Sequence, residues 1–196
     1  MDILLNLLIR VPCIIFATTL HEFVRAAVST ALGDKKPKND GRLTINPVKH
    51  FEPIGFILLL ATGFGWGQPV QTNGLFYKNR KRDTLITAVC PSVANILAAI
   101  LFAFLLRVIS AESTILNIIL LGLIQFNVSL AVYNIVPITP MDGLKVMSAV
   151  MPSNTYFSYI QYEKIIQMIF LLLLFLGYTN AIFSPIISTI MGILSL

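Results

Sequence analysis

The stretch TTLHEFVRAAVSTALGD, residues 18–34, places two ionisable side chains next to each other within an apolar run. It contains H-E-x-x-R, one position away from H-E-x-x-H, in which two histidines on one helix face bind zinc. Arg25 stands at the position of the second histidine. A guanidinium offers no lone pair and keeps its proton in proteins, so Arg25 cannot be a metal ligand. The stretch therefore predicts a helix that carries a functional site, but it does not decide whether this site binds a metal ion.

The composition indicates a membrane protein. Of the 196 residues, 56% are hydrophobic and 12% are charged, whereas a soluble domain carries about 25% charged residues. A helix crosses the apolar part of a bilayer with about 20 residues. Four stretches reach or approach this length: from Ile3 into the twenties, 84–109, 115–136 and 160–176. A fifth, 181–196, is short and interrupted by Pro185, and is expected to be a partial span or an interfacial helix.

The basic residues predict the orientation in the cell membrane. Nine of the 14 lysines and arginines lie between Lys35 and Arg82, and the positive-inside rule places such a region in the cytoplasm. The N-terminus is then outside, and the candidate site faces the cytoplasm. The first segment lacks a basic start and a small-residue cleavage site, so it is not expected to be a signal peptide. The basic region has no nucleic-acid-binding motif, and its expected partner is membrane lipid.

The segment GFGWGQPVQTN, residues 63–73, is predicted to be a partly re-entrant loop with short strands. Three glycines at alternate positions disfavour a helix, and non-helical backbone at membrane depth must be buried in protein or line a cavity. A further short strand is predicted at Arg42–Ile45. The cysteines, Cys13 and Cys90, have neither metal-binding spacing nor a disulfide framework, and are expected to be small buried residues.

Three side chains are candidates for chemistry at the apolar stretch. His21 is a candidate metal ligand, and Glu22 beside it is placed to take a proton from metal-bound water. A catalytic zinc site needs three protein ligands, and Asp142, in a proline-interrupted loop on the same side, is the next candidate. Two structural interpretations remain open: an interhelical hydrogen bond for His21, and a helix N-cap for Asp142.

The chain resembles the site-2 protease family of intramembrane zinc metallopeptidases. Five blocks match in order over roughly residues 10–148: LHEFVRA, LGD…GRLTINPVKHFEPIG, GFGWGQPV, CPSVAN and YNIVPITPMDG. The resemblance implies one domain, residues 1–196, of the mostly α membrane class. It also implies four to five transmembrane or interfacial helices and a small membrane-associated β region after the first helix.

The resemblance also implies roles for individual residues. His21 and Asp142 correspond to zinc ligands and Glu22 to the general base. Asn95 corresponds to an asparagine that helps to hold the substrate carbonyl or oxyanion, although an interhelical hydrogen bond explains it equally well. Asn127 is expected to be structural.

Two further elements have structural or binding roles by the same resemblance. Asn134 is expected to brace the proline-rich loop. Pro69, Val70 and Gln71 are expected to pair with the backbone of an unwound substrate, with a simple sheet edge as the alternative.

Arg25 leads to two hypotheses about activity. In the first, the scaffold is zinc-poor and catalytically degenerate, and still binds membrane peptides or client membrane proteins. Arg25 then replaces the zinc charge, with nitrogen atoms within hydrogen-bonding distance of Glu22 or Asp142. In the second, the chain is an active zinc metalloendopeptidase that cleaves transmembrane substrates with a replacement ligand, for which His50 is the remaining histidine. A transporter is disfavoured because the chain shows no inverted repeat.

Overall fold

The computed structural model describes residues 3–62, 67–109 and 114–195. Its centre is formed by three long helices that pack against one another. In chain order the α-helices are α1 (Ile3–Ala31), α2 (Lys36–Asn39), α3 (Pro53–Thr62), α4 (Arg80–Ile109), α5 (Thr114–Tyr133), α6 (Gly143–Val150), α7 (Ser153–Ile160), α8 (Glu163–Phe175) and α9 (Tyr178–Ser195). Two 3₁₀ turns, Pro47–His50 and Gly74–Phe76, lie between α2 and α4.

Three helices in the described part of the chain are long and apolar enough to cross a membrane: Leu8–Ala31, Arg80–Ile109 and Ile115–Tyr133. They correspond to the first three predicted spans and make this a membrane protein. The fourth predicted span, 160–176, is not one straight helix. Helix α8 has 13 residues, and it reaches spanning length only together with α7, from which it is bent by 59°.

Helix α9 corrects the expectation for the C-terminal segment. Pro185 was expected to interrupt it, but the helix continues through Pro185 from Tyr178 to Ser195. Its apolar part, Ala181–Leu194, is shorter than a full span. The C-terminal segment is therefore a continuous helix that packs against α5 and α8.

The contact between the long helices depends on small side chains. Alanines of α4 pack against branched side chains of α5 in a buried cluster of Ala99, Ala103, Ile124, Val128 and Val132. A Cβ atom added at Gly122 would lie 3.1 Å from the Sγ atom of Cys13 on α1. Such small residues allow helix backbones to approach closely. Cys13 is buried as predicted, whereas Cys90 is only partly buried.

The predicted β region is wrong for the described residues. Neither 42–45 nor 67–73 forms a strand, and residues 63–66 lie outside the described part. The backbone N–H groups of segment 67–73 bind other partners. That of Gln68 donates to the His50 carbonyl at 2.9 Å, and that of Val70 donates to the Glu22 carboxylate. Pro69 has no N–H group, so the segment cannot complete a regular ladder on both edges.

The turn between α5 and α6 brings Asp142 back to α1. Its backbone is so close to the end of α5 that a Cβ atom at Gly143 would collide with the Ile135 carbonyl oxygen. The N–H group of Gly143 donates to the Asn134 carbonyl oxygen at 2.7 Å. Only glycine fits this position, which fixes the location of Asp142.

Candidate functional site

A buried cluster of four ionisable side chains joins α1 to the α5–α6 turn. His21, Glu22 and Arg25 come from one stretch of α1, and Asp142 comes from the turn. None is more than 5% exposed. Residues i, i+1 and i+4 of a helix bring the three α1 side chains near one another, and the turn adds the fourth.

Arg25 is at the centre of this cluster. Its Nη1 atom donates to both carboxylate oxygens of Glu22, each at 2.9 Å. Its Nη2 atom donates to Oδ2 of Asp142 at 2.5 Å. The contacts expected from the sequence are therefore present. The guanidinium binds two carboxylates through separate nitrogen atoms, an arrangement that its planar geometry favours.

The hydrogen bonds of His21 define its tautomer. Its Nδ1 atom lies 2.8 Å from Oδ1 of Asn95. The Nδ2 atom of Asn95 donates to the Ala17 carbonyl oxygen at 3.1 Å and to Oδ1 of Asn127 at 2.7 Å. The Oδ1 atom of Asn95 is therefore an acceptor, and Nδ1 of His21 carries the proton. In neutral His21 the Nε2 atom then has a lone pair, which accepts from Nη2 of Arg25 at 3.1 Å.

The cluster does not fit a zinc ion. The Nε2 atom of His21 and Oδ2 of Asp142, 3.0 Å apart, both point to Nη2 of Arg25, so a cationic nitrogen lies where two lone pairs converge. Both oxygens of Glu22 are bound to Nη1. Within residues 3–62, 67–109 and 114–195, no three His, Cys, Asp or Glu side chains are arranged to hold a metal ion. Two donors fall short of the three ligands of catalytic zinc.

His50 does not complete the set of ligands. It is buried, and its Nε2 atom lies 2.8 Å from the Thr44 carbonyl oxygen. That carbonyl can only accept, so Nε2 carries the proton. The structure thus places His50 in the loop before α3, in contact with its own loop rather than with His21 or Asp142.

The charges of Asp142 are compensated on two sides. In addition to Arg25, the Nζ atom of Lys145 lies 3.5 Å from its Oδ1 atom. Burial alone would raise the pKa of Asp142, but the Arg25 guanidinium holds that pKa well below its ordinary value. Asp142 occupies the N-cap position of α6, yet its side chain makes no capping hydrogen bond. Its carboxylate is directed to the ion cluster instead.

The two other buried asparagines hold the surrounding helices. Asn127 accepts from Asn95 and donates to the Leu123 carbonyl oxygen at 2.8 Å within α5. Oδ1 of Asn134 accepts from the backbone N–H of Asp142 at 3.4 Å. Asn95 and Asn127 therefore connect α4 to α5 behind His21, and Asn134 supports the turn that carries Asp142.

The predicted substrate-binding segment lies directly over the cluster. The Val70 N–H group donates to Oε2 of Glu22 at 2.7 Å, and Val70 is buried. Pro69 lines a small cleft of about 20 Å³ together with His21, Glu22 and Arg25. Gln71 is exposed, and its backbone N–H group makes no hydrogen bond with the described part of the chain.

Sequence reasoning missed a second buried network, centred on Asp34. This residue is 0% exposed and accepts from the Ser29 hydroxyl at 3.0 Å and from the backbone N–H groups of Lys36 and Asn73 at 2.9 and 2.7 Å. The Tyr77 hydroxyl lies 2.7 Å from Ser29. The network ties segment 67–73 to the end of α1. An acidic residue at the end of an apolar helix was the available signal.

The chain is 33% identical over 168 residues to "Putative zinc metalloprotease YwhC" of Bacillus subtilis (strain 168), and the match covers 82% of this chain and 77% of the relative. This chain belongs to that zinc metalloprotease family. The name of the relative indicates zinc in the family. No protein-family profile matches the chain, and no solved structure matches it significantly.

Proposed function

We propose that this chain is a catalytically degenerate relative of the intramembrane metallopeptidases, with a site-2-protease-like scaffold that binds membrane peptides without cleaving them. The observation that carries the proposal is the position of the Arg25 Nη2 atom. It lies 3.1 Å from Nε2 of His21 and 2.5 Å from Oδ2 of Asp142. The two side chains that remain from the family's zinc ligands thus bind a guanidinium.

The guanidinium supplies the positive charge that this buried site needs. Glu22 and Asp142 are desolvated, and a buried carboxylate without a cation is strongly unfavourable. Arg25 pairs with both carboxylates, and Lys145 adds a second positive charge beside Asp142, so the site does not need a divalent ion for charge compensation. A metal entering the same place would meet a fixed positive charge, which opposes its binding.

Glu22 is poorly placed to act as a general base. Its carboxylate accepts both hydrogen bonds from Arg25 and a third from the Val70 N–H group. Both of its oxygens are therefore bound by donors of the protein rather than by a water molecule. In the proposed degenerate site, peptide hydrolysis would have neither a metal to activate water nor a free base.

Peptide binding is supported by the segment next to the cluster. The Gln71 N–H group is free within the described structure, and Pro69 and Val70 accept no backbone hydrogen bond there through their carbonyl groups. Such unpaired groups bind an extended peptide by backbone hydrogen bonds. The proposed ligands are membrane segments that unwind near this site, from client membrane proteins that the chain shields or regulates.

The proposed orientation places the N-terminus outside the cell membrane and residues 35–82 with the site in the cytoplasm. The support is the concentration of lysine and arginine in that region. A cysteine introduced at exposed Lys38 should react with an impermeant maleimide only after the cells are permeabilised. Labelling in intact cells would reverse this orientation.

Metal analysis tests the proposal. The purified protein is compared with His21→Ala, with Arg25→His and with the double variant Arg25→His/His21→Ala, all equilibrated with zinc and then desalted. We expect less than about 0.1 zinc per chain in the unmodified protein, and zinc near one per chain only in Arg25→His, because that variant supplies a third ligand.

Stoichiometric zinc in the unmodified protein that His21→Ala removes would overturn the degenerate assignment. It would support the alternative of an active peptidase with a replacement ligand. Cleavage of a transmembrane model substrate is measured in parallel, and we expect it only in zinc-loaded Arg25→His.

A further inference from the structure

An apolar cavity of about 210 Å³ lies beside the ion cluster. Its walls come from the middle of α1, the second half of α5, the loop and helix over residues 47–56, and Gly67. Ile14, Phe126, Leu130 and Phe56 contribute apolar surface, and polar side chains also line it, namely Thr18, Thr19, His50, Glu52, Ser129 and Tyr133. The proposed chemistry of the Arg25 cluster makes no use of this cavity.

The cavity is adjacent to the small cleft at the cluster. Thr18, Gly67 and Leu130 line both spaces, and Pro69 lines the cleft just after Gly67. A Cβ atom at Gly67 would collide with the Thr18 side chain and lie 2.8 Å from the His50 carbonyl oxygen. The backbone at Gly67 is therefore held tightly at the junction, next to the proposed peptide-binding segment.

The size and lining of the cavity select an apolar occupant. A cavity of about 150 Å³ lined by aliphatic and aromatic side chains stays dry and binds benzene. The cavity here is larger and its surface is mostly apolar, so it accommodates a phenyl ring or a branched aliphatic group.

We propose that this cavity is a specificity pocket that receives one large apolar side chain, of phenylalanine or leucine size, from the bound membrane peptide. The inference rests on the proposed peptide binding and deepens it. A peptide whose backbone binds at Gln71 lies beside the cleft, and the cleft borders the cavity at Gly67. Successive side chains of an extended peptide point in opposite directions, so one side chain enters the cavity while its neighbours do not.

The test uses the full chain in nanodiscs and fluorescent model peptides of about 22 apolar residues, a length that spans a bilayer. A central Gly-Pro pair unwinds the helix of each peptide. The peptides form a scan in which each position in turn carries Phe in one peptide and Ala in the matched one. We expect Phe to bind at least about tenfold more tightly than Ala at one position, since burying such a side chain contributes that much. The Phe and Ala peptides should differ little at the two neighbouring positions.

Cavity filling provides the matched comparison. Ser129→Leu should abolish the preference for Phe and leave the affinity of the Ala peptide within about twofold. The same substitution at Ser184, which is exposed on α9, should change neither. When benzoylphenylalanine replaces Phe at the selected position of the model peptide, it should crosslink to the part of α5 that contains Phe126 and Ser129 in the unmodified protein. This second measurement tests the pocket even if Ser129→Leu misfolds.

The outcomes separate the inference from the proposed function. Failure of every peptide to bind would overturn peptide binding itself. Equal binding of Phe and Ala peptides at all positions, or crosslinks elsewhere on the protein, would overturn only the pocket. A change in co-purified phospholipid with Ser129→Leu, without any side-chain preference, would assign the cavity to a lipid chain and would also overturn it.

Discussion

Arg25 and Asp142 are 117 residues apart in the sequence, yet Nη2 of the arginine lies 2.5 Å from Oδ2 of the aspartate. This ion pair connects α1 to the turn after α5. Glu22, on the same helix as Arg25, forms a second ion pair with the guanidinium. Because all three side chains are buried, their charges depend on one another for stability, and removing one should affect the others.

Replacing Arg25 by Met should destabilise the protein by about 3–5 kcal/mol, because two buried carboxylates lose their cation. The triple variant Glu22→Gln/Arg25→Met/Asp142→Asn should be more stable than this single variant, since no uncompensated charge remains. Reversible denaturant unfolding in detergent measures both.

The ion pair between Lys36 and Asp40 provides the control. It is short, at 2.6 Å, but its side chains are 44% and 41% exposed. Lys36→Ala should therefore cost no more than about 1 kcal/mol. If Arg25→Met were as stable as Lys36→Ala, the cluster would not be the buried ion network described above.

The stability that Asp142 contributes should be insensitive to pH near neutrality. Its pKa is held well below its ordinary value in the folded protein by the neighbouring guanidinium, despite burial, and is near 3.9 in the unfolded chain. The contribution is therefore fully present above about pH 5 and decreases as the pH falls below about 4.

The measurement is the difference in unfolding free energy between the unmodified protein and Asp142→Asn, from pH 8 to pH 3. We expect a constant difference down to about pH 5 and a decreasing one below about pH 4. A difference that shrinks between pH 8 and 6 would show that another group titrates in its place.

Asn95 and Asn127 should be energetically coupled. Asn95 donates to Asn127 at 2.7 Å and accepts from Nδ1–H of His21. Asn95→Ala therefore leaves this buried N–H group of His21 without its partner and should lower the free energy of unfolding by about 1–3 kcal/mol. Asn127→Ala should cost less, because Asn95 keeps its bonds to His21 and Ala17. A double-mutant cycle should give a coupling of at least about 0.5 kcal/mol. Strict additivity would show that the 2.7 Å contact contributes nothing.

The sequence predicted the contacts of the cluster because their determinants are local. The spacing of His21, Glu22 and Arg25 fixes their common helix face, and the need to compensate buried charge fixes the direction of Arg25. Asp142 was found because it lies in a proline-interrupted loop predicted to be on the same side of the membrane as the α1 residues. These features are encoded within a few residues each.

Other features depend on tertiary contacts that no local pattern records. The short strands predicted within residues 63–73 do not form in the described part, 67–73, where Glu22, a side chain distant in sequence, accepts the Val70 N–H group. Pro185 was expected to interrupt a helix that instead continues through it. The network of Asp34, Ser29 and Tyr77 was missed for the same reason, since Tyr77 and the Asn73 N–H group are distant in sequence from Ser29 and Asp34.

Asp34 should determine how firmly segment 67–73 is held over the ion cluster. Asp34→Ala removes the acceptor of the Asn73 N–H group. If this hydrogen bond contributes about 1.4 kcal/mol to the free energy of local opening, the rate of amide hydrogen exchange in residues 67–77 should rise by about tenfold or more. Asp40→Ala is the matched control, because Asp40 is exposed and contacts Lys36 outside this network. Exchange in α4 and α5 serves as the internal reference. If it rises equally in Asp34→Ala, the substitution has loosened the whole protein rather than the segment, whereas unchanged exchange at 67–77 would show that Val70 and Gln68 alone hold it.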